Sequence, residues 1–286
     1  MAAIFSLLAA TSFGVGDFFG GLATRRGTGN PIPVIALGHV AGLVLAVALL
    51  VVFPGDIWSA DLVIGGVAGV VGAVGLAFLY RGLAKGRMGL VAPLTAVLAA
   101  VIPAAWGVAS GERPTAAAAV GVVLGLIAIP LVSTEGPTLD VVGAPEGGAL
   151  PPGFMDGVLA GIGFGLFFIF IDFASADSGA VPLVGARILT APAFLIVASM
   201  GTGGMVVGRE VRRLSVWSGL FDMSANAWFL AAVRTGLITE AVVLTALAPA
   251  GTVALARVFE HERLSRIQLA GIPLAIAGVA LIGFGG

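Results

Sequence analysis

Asp17, His39, Arg187 and Asp222 stand inside stretches of otherwise apolar sequence, and Ser218, Asp222 and Asn226 follow one another at i, i+4 and i+8. On a helix that spacing puts the last three on one face. An ionisable group at the middle of a membrane span costs about 2.5–3.5 kcal/mol on insertion scales, so each such residue is a site hypothesis by default. The stripe containing Asp222 must face protein or water. It either lines a solute cavity or forms a hydrogen-bond network between helices. Asp17 is flanked by Gly14, Gly16, Gly20 and Gly21, which let a neighbouring helix come close. It could take up and release a proton there, or stand in a static pair with Arg187. His39 is open to titration near neutrality or to a plain hydrogen-bonded packing role. A zwitterion would suit the set, with Arg187 meeting its carboxylate and Asp222 its amine, and a cation or a neutral solute would be accommodated too.

These residues need elements that hold them inside an apolar medium. The chain of 286 residues is 59% hydrophobic and 10% charged, carries 44 Gly and has a mean hydropathy of +1.12, the composition of a polytopic membrane protein. Stretches such as PIPVIALGHVAGLVLAVALLVVF are apolar all round, unlike the amphipathic helices of a soluble core. The alternation of a membrane β-barrel is missing, so helices must satisfy the backbone. A hydropathy pass places about ten spans, near 3–23, 32–53, 62–81, 88–109, 115–133, 154–174, 181–200, 214–234, 237–257 and 264–284. The first has no basic leader and carries an Asp, so it reads as a span rather than a cleaved signal peptide. The fold expected is an all-α integral membrane protein.

The polar, Gly- and Pro-rich stretch 134–153 separates 1–133 from 154–286, five spans from five. At an offset of 150 residues, LTA at 94–96 falls on LTA at 244–246, Glu112-Arg113 on Glu262-Arg263, Gly86 on Gly236 and Gly121 on Gly271. Residues 81–132 and 231–282 share 12 identities in 52 positions, about double what so biased a composition gives by chance. FGVGDFF at 13–19 and FGLFFIF at 164–170 correspond at 151. Because five is odd, the second copy must enter the membrane from the opposite side. Inverted five-helix repeats of this kind are a recurring design of secondary transporters with a midplane site.

Each copy has a fourth span rich in Pro and small residues, then a G/H-E-R-[LPT]-[ST] turn, then a Gly-spaced fifth span. GLVAPLTAVLAAVIPAAWGVASGERPTAAAAVGVVLG and ALAPAGTVALARVFEHERLSRIQLAGIPLAIAGVALI are the two versions. This arrangement resembles the EamA-type branch of the drug/metabolite transporter superfamily. The resemblance implies a plasma-membrane carrier of a small metabolite, such as an amino acid, a nucleobase or a drug-like solute. It further implies a site between the halves, with the fifth and tenth helices at the periphery.

Within the turn, Thr115 and Ser265 are placed to N-cap the following helix, and Glu112 and Glu262 read as interfacial charges rather than a site. Gly157, Gly161 and Gly165, Gly121 and Gly125, and Gly66, Gly69, Gly72 and Gly75 mark close helix contacts. Pro93, Pro103 and Pro249 lie within the fourth and ninth spans and can kink them. Glu240 opens the ninth span, where a helix N-terminus favours negative charge, and Asp172 and Arg81 lie near enough to span ends to reach water.

The chain has no G-x-x-x-x-G-K-[ST] loop to bind ATP, so an ion or solute gradient would have to drive it, a proton being one such ion. No cysteine is present for a disulfide or a Cys-ligated metal, no basic stripe suggests nucleic acid, and no cofactor is expected. An intramembrane enzyme is disfavoured by two His and the lack of G-x-S-x-G, while a non-transporting membrane scaffold stays open. The partners expected are a small-molecule substrate, the lipid bilayer and a coupling ion.

Loops after odd-numbered spans hold Arg25, Arg26, Arg81, Lys85, Arg87, Arg209, Arg212, Arg213, Arg257, Arg263 and Arg266; the opposite loops hold only Arg113 and Arg234. The positive-inside rule then puts both termini outside the cytoplasm, although carriers of the EamA type usually have them inside. A C-terminal alkaline phosphatase fusion should therefore be active and a C-terminal green fluorescent protein dark; the reverse pattern refutes the orientation.

Overall fold

The computed structural model describes residues 1–85, 88–133, 152–200, 207–248 and 266–285. Among the described residues the chain is all-α. The helices are α1 (Ala2–Arg26), α2 (Ile32–Val52), α3 (Ala60–Lys85), α4 (Met88–Ala109), α5 (Ala116–Ser133), α6 (Phe154–Asp172), α7 (Val181–Met200), α8 (Arg209–Val233), α9 (Ile238–Thr245) and α10 (Arg266–Gly285). Six of them, α1, α2, α3, α6, α7 and α10, have segments long and apolar enough to cross a membrane by length and composition. Residues 94–109 and 116–131 make two shorter apolar helical stretches. The polar stripe of α8 keeps it off that list although it is 25 residues long.

Nine helices lie where the hydropathy pattern puts spans. The ninth span is described only as the short α9, and the rest of it, with Pro249, Ser265 and the Glu262-Arg263 turn, lies outside the described residues. So does 134–151 of the connecting stretch. The helix α4 runs on through Pro93 and Pro103.

Glycines decide how the helices meet, because in lipid close backbone approach and van der Waals packing replace the hydrophobic drive. Gly38 of α2 and Gly219 of α8 are in backbone contact, and a methyl group at Gly219 would collide with the Gly38 carbonyl. Gly42 then faces Gly219 and Met223, so α2 and α8 run parallel. Gly16 lies on the backbone of Ser218 and Asp222, and Phe5 stacks on Trp228, so α1 and α8 run antiparallel. In the same way Gly65 and Gly69 of α3 meet Pro182 and Ala186 of α7 in parallel, while Gly72 and Gly75 meet Phe167 and Gly163 of α6 in antiparallel order. Gly157, Gly161 and Gly165 receive Leu94, Leu98 and Ile102 of α4, and Gly121 lies against Gly278 and Ile282 of α10. The expected close-contact glycines thus meet neighbouring helices.

The larger packed pairs map onto one another when the first five helices are exchanged for the last five. Pair α1·α8 maps onto α6·α3, α2·α8 onto α7·α3 and α4·α6 onto α9·α1, while α2·α7, α4·α9 and α5·α10 map onto themselves.

The loops at the ends of α2, α4, α6 and α8 are tied across the two halves by groups that sequence spacing did not single out. Thr115 caps α5 as expected, its hydroxyl accepting from the Ala118 N–H at 3.2 Å. Glu112 goes further than an interfacial charge: its carboxylate accepts from the N–H of Ile238 (2.6 Å), the N–H of Thr239 (3.0 Å) and the Thr239 hydroxyl (2.5 Å), capping α9 from the other half. Asp61 accepts from the N–H and hydroxyl of Ser175 at 2.8 and 2.6 Å, and the Ala180 N–H donates to the Phe53 carbonyl at 3.0 Å. Arg234 donates to Ser178 Oγ and to the carbonyls of Gly179 (2.9 Å) and Ser175 (3.3 Å). On the opposite face Arg81 reaches Asp156 at 2.5 Å, and Arg26 pairs with Glu210 with both side chains more than half exposed. Replacing Glu112 by Ala takes the acceptor from two backbone donors, while the Thr239 hydroxyl keeps the Ala104 carbonyl at 3.2 Å, and should cost about 1–3 kcal/mol. Arg26→Ala should stay within about 1 kcal/mol. Thermal unfolding of both variants in detergent checks this, and equal Tm values would contradict the cap.

Candidate functional site

Among the described residues the most buried charged group is Arg187. It sits one and a half turns into α7, only 6% exposed, where the glycine at position 42 of α2 leaves room for its guanidinium; a Cβ there would stand 3.3 Å from Arg187 Nε. Its partner comes from a third helix. Arg187 Nη2 donates to Asp222 Oδ2 of α8, in an ion pair whose arginine is buried and whose carboxylate is 38% exposed. The sequence offered Asp17 as the static partner of Arg187; the structure gives that place to Asp222.

Asn226, one turn along, donates to the Asp222 carbonyl at 2.7 Å and lies 3.4 Å from Asp222 Oδ2. Ser218, one turn back, donates to the Gly16 carbonyl at 2.8 Å, so the upper end of the stripe is spent on holding α8 to α1. Glycines of α1 make this possible: a Cβ at Gly16 would sit 3.2 Å from Asp222 N, and one at Gly20 2.9 Å from Ser218 Oγ. Asp17 follows Gly16 on α1. It is within electrostatic reach of Asp222 and lies at the exposed surface of α1.

His39 belongs to the rim. Its Nδ1 lies 3.0 Å from the Thr190 hydroxyl, its ring meets Phe194 edge-on at 5.0 Å, and it feels the charge of Arg187. Thr190 was not legible as a site residue, since one hydroxyl in an apolar helix is commonplace and usually bonds back to its own helix, as this one also does to Ala186.

Four helices therefore bring Asp17, His39, Arg187, Ser218, Asp222 and Asn226 into one neighbourhood, with Ser218 and His39 already bonded. Two buried polar atoms of the set, Arg187 Nε and Asn226 Oδ1, have no protein hydrogen-bond partner among the described residues. One is a donor and the other an acceptor. With His39 neutral, Asp17, Asp222 and Arg187 leave one net negative charge. At the sequence offsets of 150 and 151 residues, Asp222 falls on Gly72 and Asp17 on Phe168. Gly72 is packed by Phe167, where the corresponding crossing in the other half sets Gly16 against Asp222. The charge is carried by one crossing and the aromatic ring by the other. Glu240, Asp172 and Arg81 stand apart from this group; Glu240 is buried in the first turn of α9. Among the described residues no group of three or more His, Cys, Asp or Glu is placed to hold a metal.

Comparison with known proteins bears on this arrangement. Residues 152–284 match the EamA-like transporter family. That match and the six helices long and apolar enough to cross a membrane support a multi-pass membrane protein of the drug/metabolite transporter type. No curated protein matches it. A solved structure described as "Crystal structure of protein" shares its fold with a TM-score of 0.71 and 19% identity, over 99% of this chain and 97% of the other.

Removing one member of a buried ion pair leaves the other uncompensated and costs about 3–5 kcal/mol, whereas replacing both is far milder. Because Arg187 is the more deeply buried partner, Asp222→Asn should lower Tm more than Arg187→Met does. The Arg187→Met, Asp222→Asn double variant should recover much of the loss. Additive single effects in a double-mutant cycle would show the pair to be energetically idle.

Proposed function

We propose that the EamA-like protein is a secondary carrier of a small organic solute in the plasma membrane. It works by alternating access between two inverted five-helix halves, with the solute held at Arg187, Asp222 and Asn226 beside Asp17. The observation that carries this reading is the buried Arg187–Asp222 pair, which leaves a donor and an acceptor unpaired next to the Asp17 carboxylate. A purely structural network would satisfy its own members.

The inverted arrangement is supported by the exchange symmetry of the packed pairs. It is also supported by direction: equivalent helices that touch, α2 with α7 and α5 with α10, run antiparallel, since Gly42 meets Arg187 while His39 meets Thr190, and Gly121 meets Ile282 while Gly125 meets Gly278. A half-turn that carries one half onto the other requires that direction.

The one net negative charge defines what the site must receive. A lone charge in a low-dielectric interior is strongly unfavourable, so either a proton or a positively charged group of the solute compensates Asp17. An amine-bearing solute, a zwitterion such as an amino acid or an amphiphilic cation, can set its amine on Asp17 and any carboxylate or carbonyl on Arg187 Nε. Proton and amine then exclude one another at the same carboxylate, which couples their movement in opposite directions.

Screening amino acids, nucleobases and organic cations by thermal shift identifies a ligand, and counterflow in proteoliposomes measures its passage. Asp17→Asn is expected to abolish the response of transport to a proton gradient, and Arg187→Met with Asp222→Asn to abolish transport. Transport that is indifferent to collapse of the gradient excludes proton coupling. A folded protein that binds none of these solutes overturns the carrier reading in favour of a membrane scaffold.

A further inference from the structure

Helices α2 and α8 touch over only part of their common length. Gly38 and Gly42 lie against Ser215, Gly219 and Met223, but at Leu45 and Leu49, one and two turns further on, the helices border a cavity of about 380 Å³. Its floor is Ala180, just before α7, and Leu183 of α7, and its far wall is the face of α8 that carries Ala227 and Ala231. Trp228 and Thr235 on the α8 side are exposed, so the cavity opens sideways between the helices. The counterpart gap between α3 and α7 is filled, with Phe194 and Ala198 packed on Ile35 and Ala36 and backed by Ala73 and Leu76. An apolar cavity of about 150 Å³ already takes up a hydrocarbon molecule. This one is more than twice that size and lies between membrane helices, where the surrounding solvent is alkyl chain.

The groove is charged at one end only. Where α2 ends at Phe53, Arg234 reaches the lining, its guanidinium fixed by Ser178 Oγ and the carbonyls of Ser175 and Gly179. Asp61 and Asp177 act electrostatically on Arg234; Asp61 is occupied by Ser175, whereas Asp177 is exposed. The groove thus ends in one fixed guanidinium with one accessible carboxylate close by. That is the complement of a phosphate that carries its own ammonium, since a guanidinium matches phosphate oxygens and a carboxylate matches an ammonium.

We propose that the groove between α2 and α8 binds one aminophospholipid, with an acyl chain laid along Leu45, Leu49 and Phe53, the phosphate on Arg234 and the ammonium on Asp177. From Leu45 to Phe53, at the end of α2, eight helical rises span about 12 Å, enough to guide a large part of one chain. The lipid occupies the splay that the Gly38–Gly219 contact opens, and it sits one turn from Arg187 on α7. This assignment is independent of the solute site and stands or falls without it.

The test uses the full chain in vesicles of phosphatidylethanolamine and phosphatidylglycerol doped with a phosphatidylethanolamine bearing a photoactivatable diazirine in its acyl chain. Labelling is expected on the peptides that contain Leu45 to Phe53 and Ser224 to Thr235. It should exceed that from a diacylglycerol probe of the same chain by about tenfold, the weight of one charge-assisted hydrogen bond. Ala227→Phe together with Ala231→Phe fills the groove without touching Arg234 and should remove this labelling while leaving labelling elsewhere unchanged. Asp177→Asn should reduce the preference for ethanolamine over glycerol headgroups while leaving the acyl contact in place. Equal labelling of the wild-type chain by the phospholipid and diacylglycerol probes overturns the proposal, and this comparison needs no variant to fold. Labelling of residues 45–53 that survives the filled groove overturns it equally.

Discussion

Everything in this fold hangs on how near two helix backbones can come in a medium that gives apolar side chains no reason to associate. Lipid solvates a leucine as well as another leucine does, so attraction between helices must come from dispersion and polar contacts at short range. The contact of Gly38 with Gly219 is the clearest case, main chain against main chain with no space for a methyl group. From that point the rest of the arrangement follows. Gly42, one turn on, leaves the volume in which the Arg187 guanidinium crosses to Asp222, and Gly16 lets α1 lie on the backbone of the same residue. The leucines beyond Gly42 then force α2 and α8 apart, which is why a groove exists there at all.

The electrostatics of the interior are correspondingly lopsided. A buried arginine matched to one carboxylate is tolerated because the two are hydrogen-bonded. A second carboxylate, Asp17, stands within electrostatic reach of that pair. The crossing at equivalent positions, Phe167 on Gly72, spends its volume on an aromatic ring. The two crossings are thus alike in backbone and different in chemistry: one packs an aromatic ring, and the other sets a glycine against a polar stripe.

Much of this was legible in the sequence. Spans announce themselves through runs of apolar residues whose length matches a bilayer, and glycine spacing marks which faces meet other helices. Asp17, Arg187 and Asp222 stand out because charge inside such runs is rare. Which carboxylate Arg187 takes was not legible, because Asp17 and Asp222 are both mid-span acids and only the crossing of α2, α7 and α8 decides between them. Glu112 was read too modestly: a carboxylate in a loop looks interfacial until the start of α9 is found in front of it. The groove leaves no mark on the sequence at all, since Leu45 and Leu49 differ in no way from the leucines around them.

The cap that Glu112 places on α9 is addressed to main-chain N–H groups rather than to any side chain except the Thr239 hydroxyl. A bond of that kind is blind to most sequence drift on the receiving helix. The side chains at 238 and 240 make none of these bonds, while the carboxylate itself has no substitute of equal reach and charge. Constraint is therefore unevenly shared across the seam between the halves, heavy on the single donor of charge in the first and light on the helix it holds in the second. A duplicated chain can accordingly let its two copies diverge and still keep them joined.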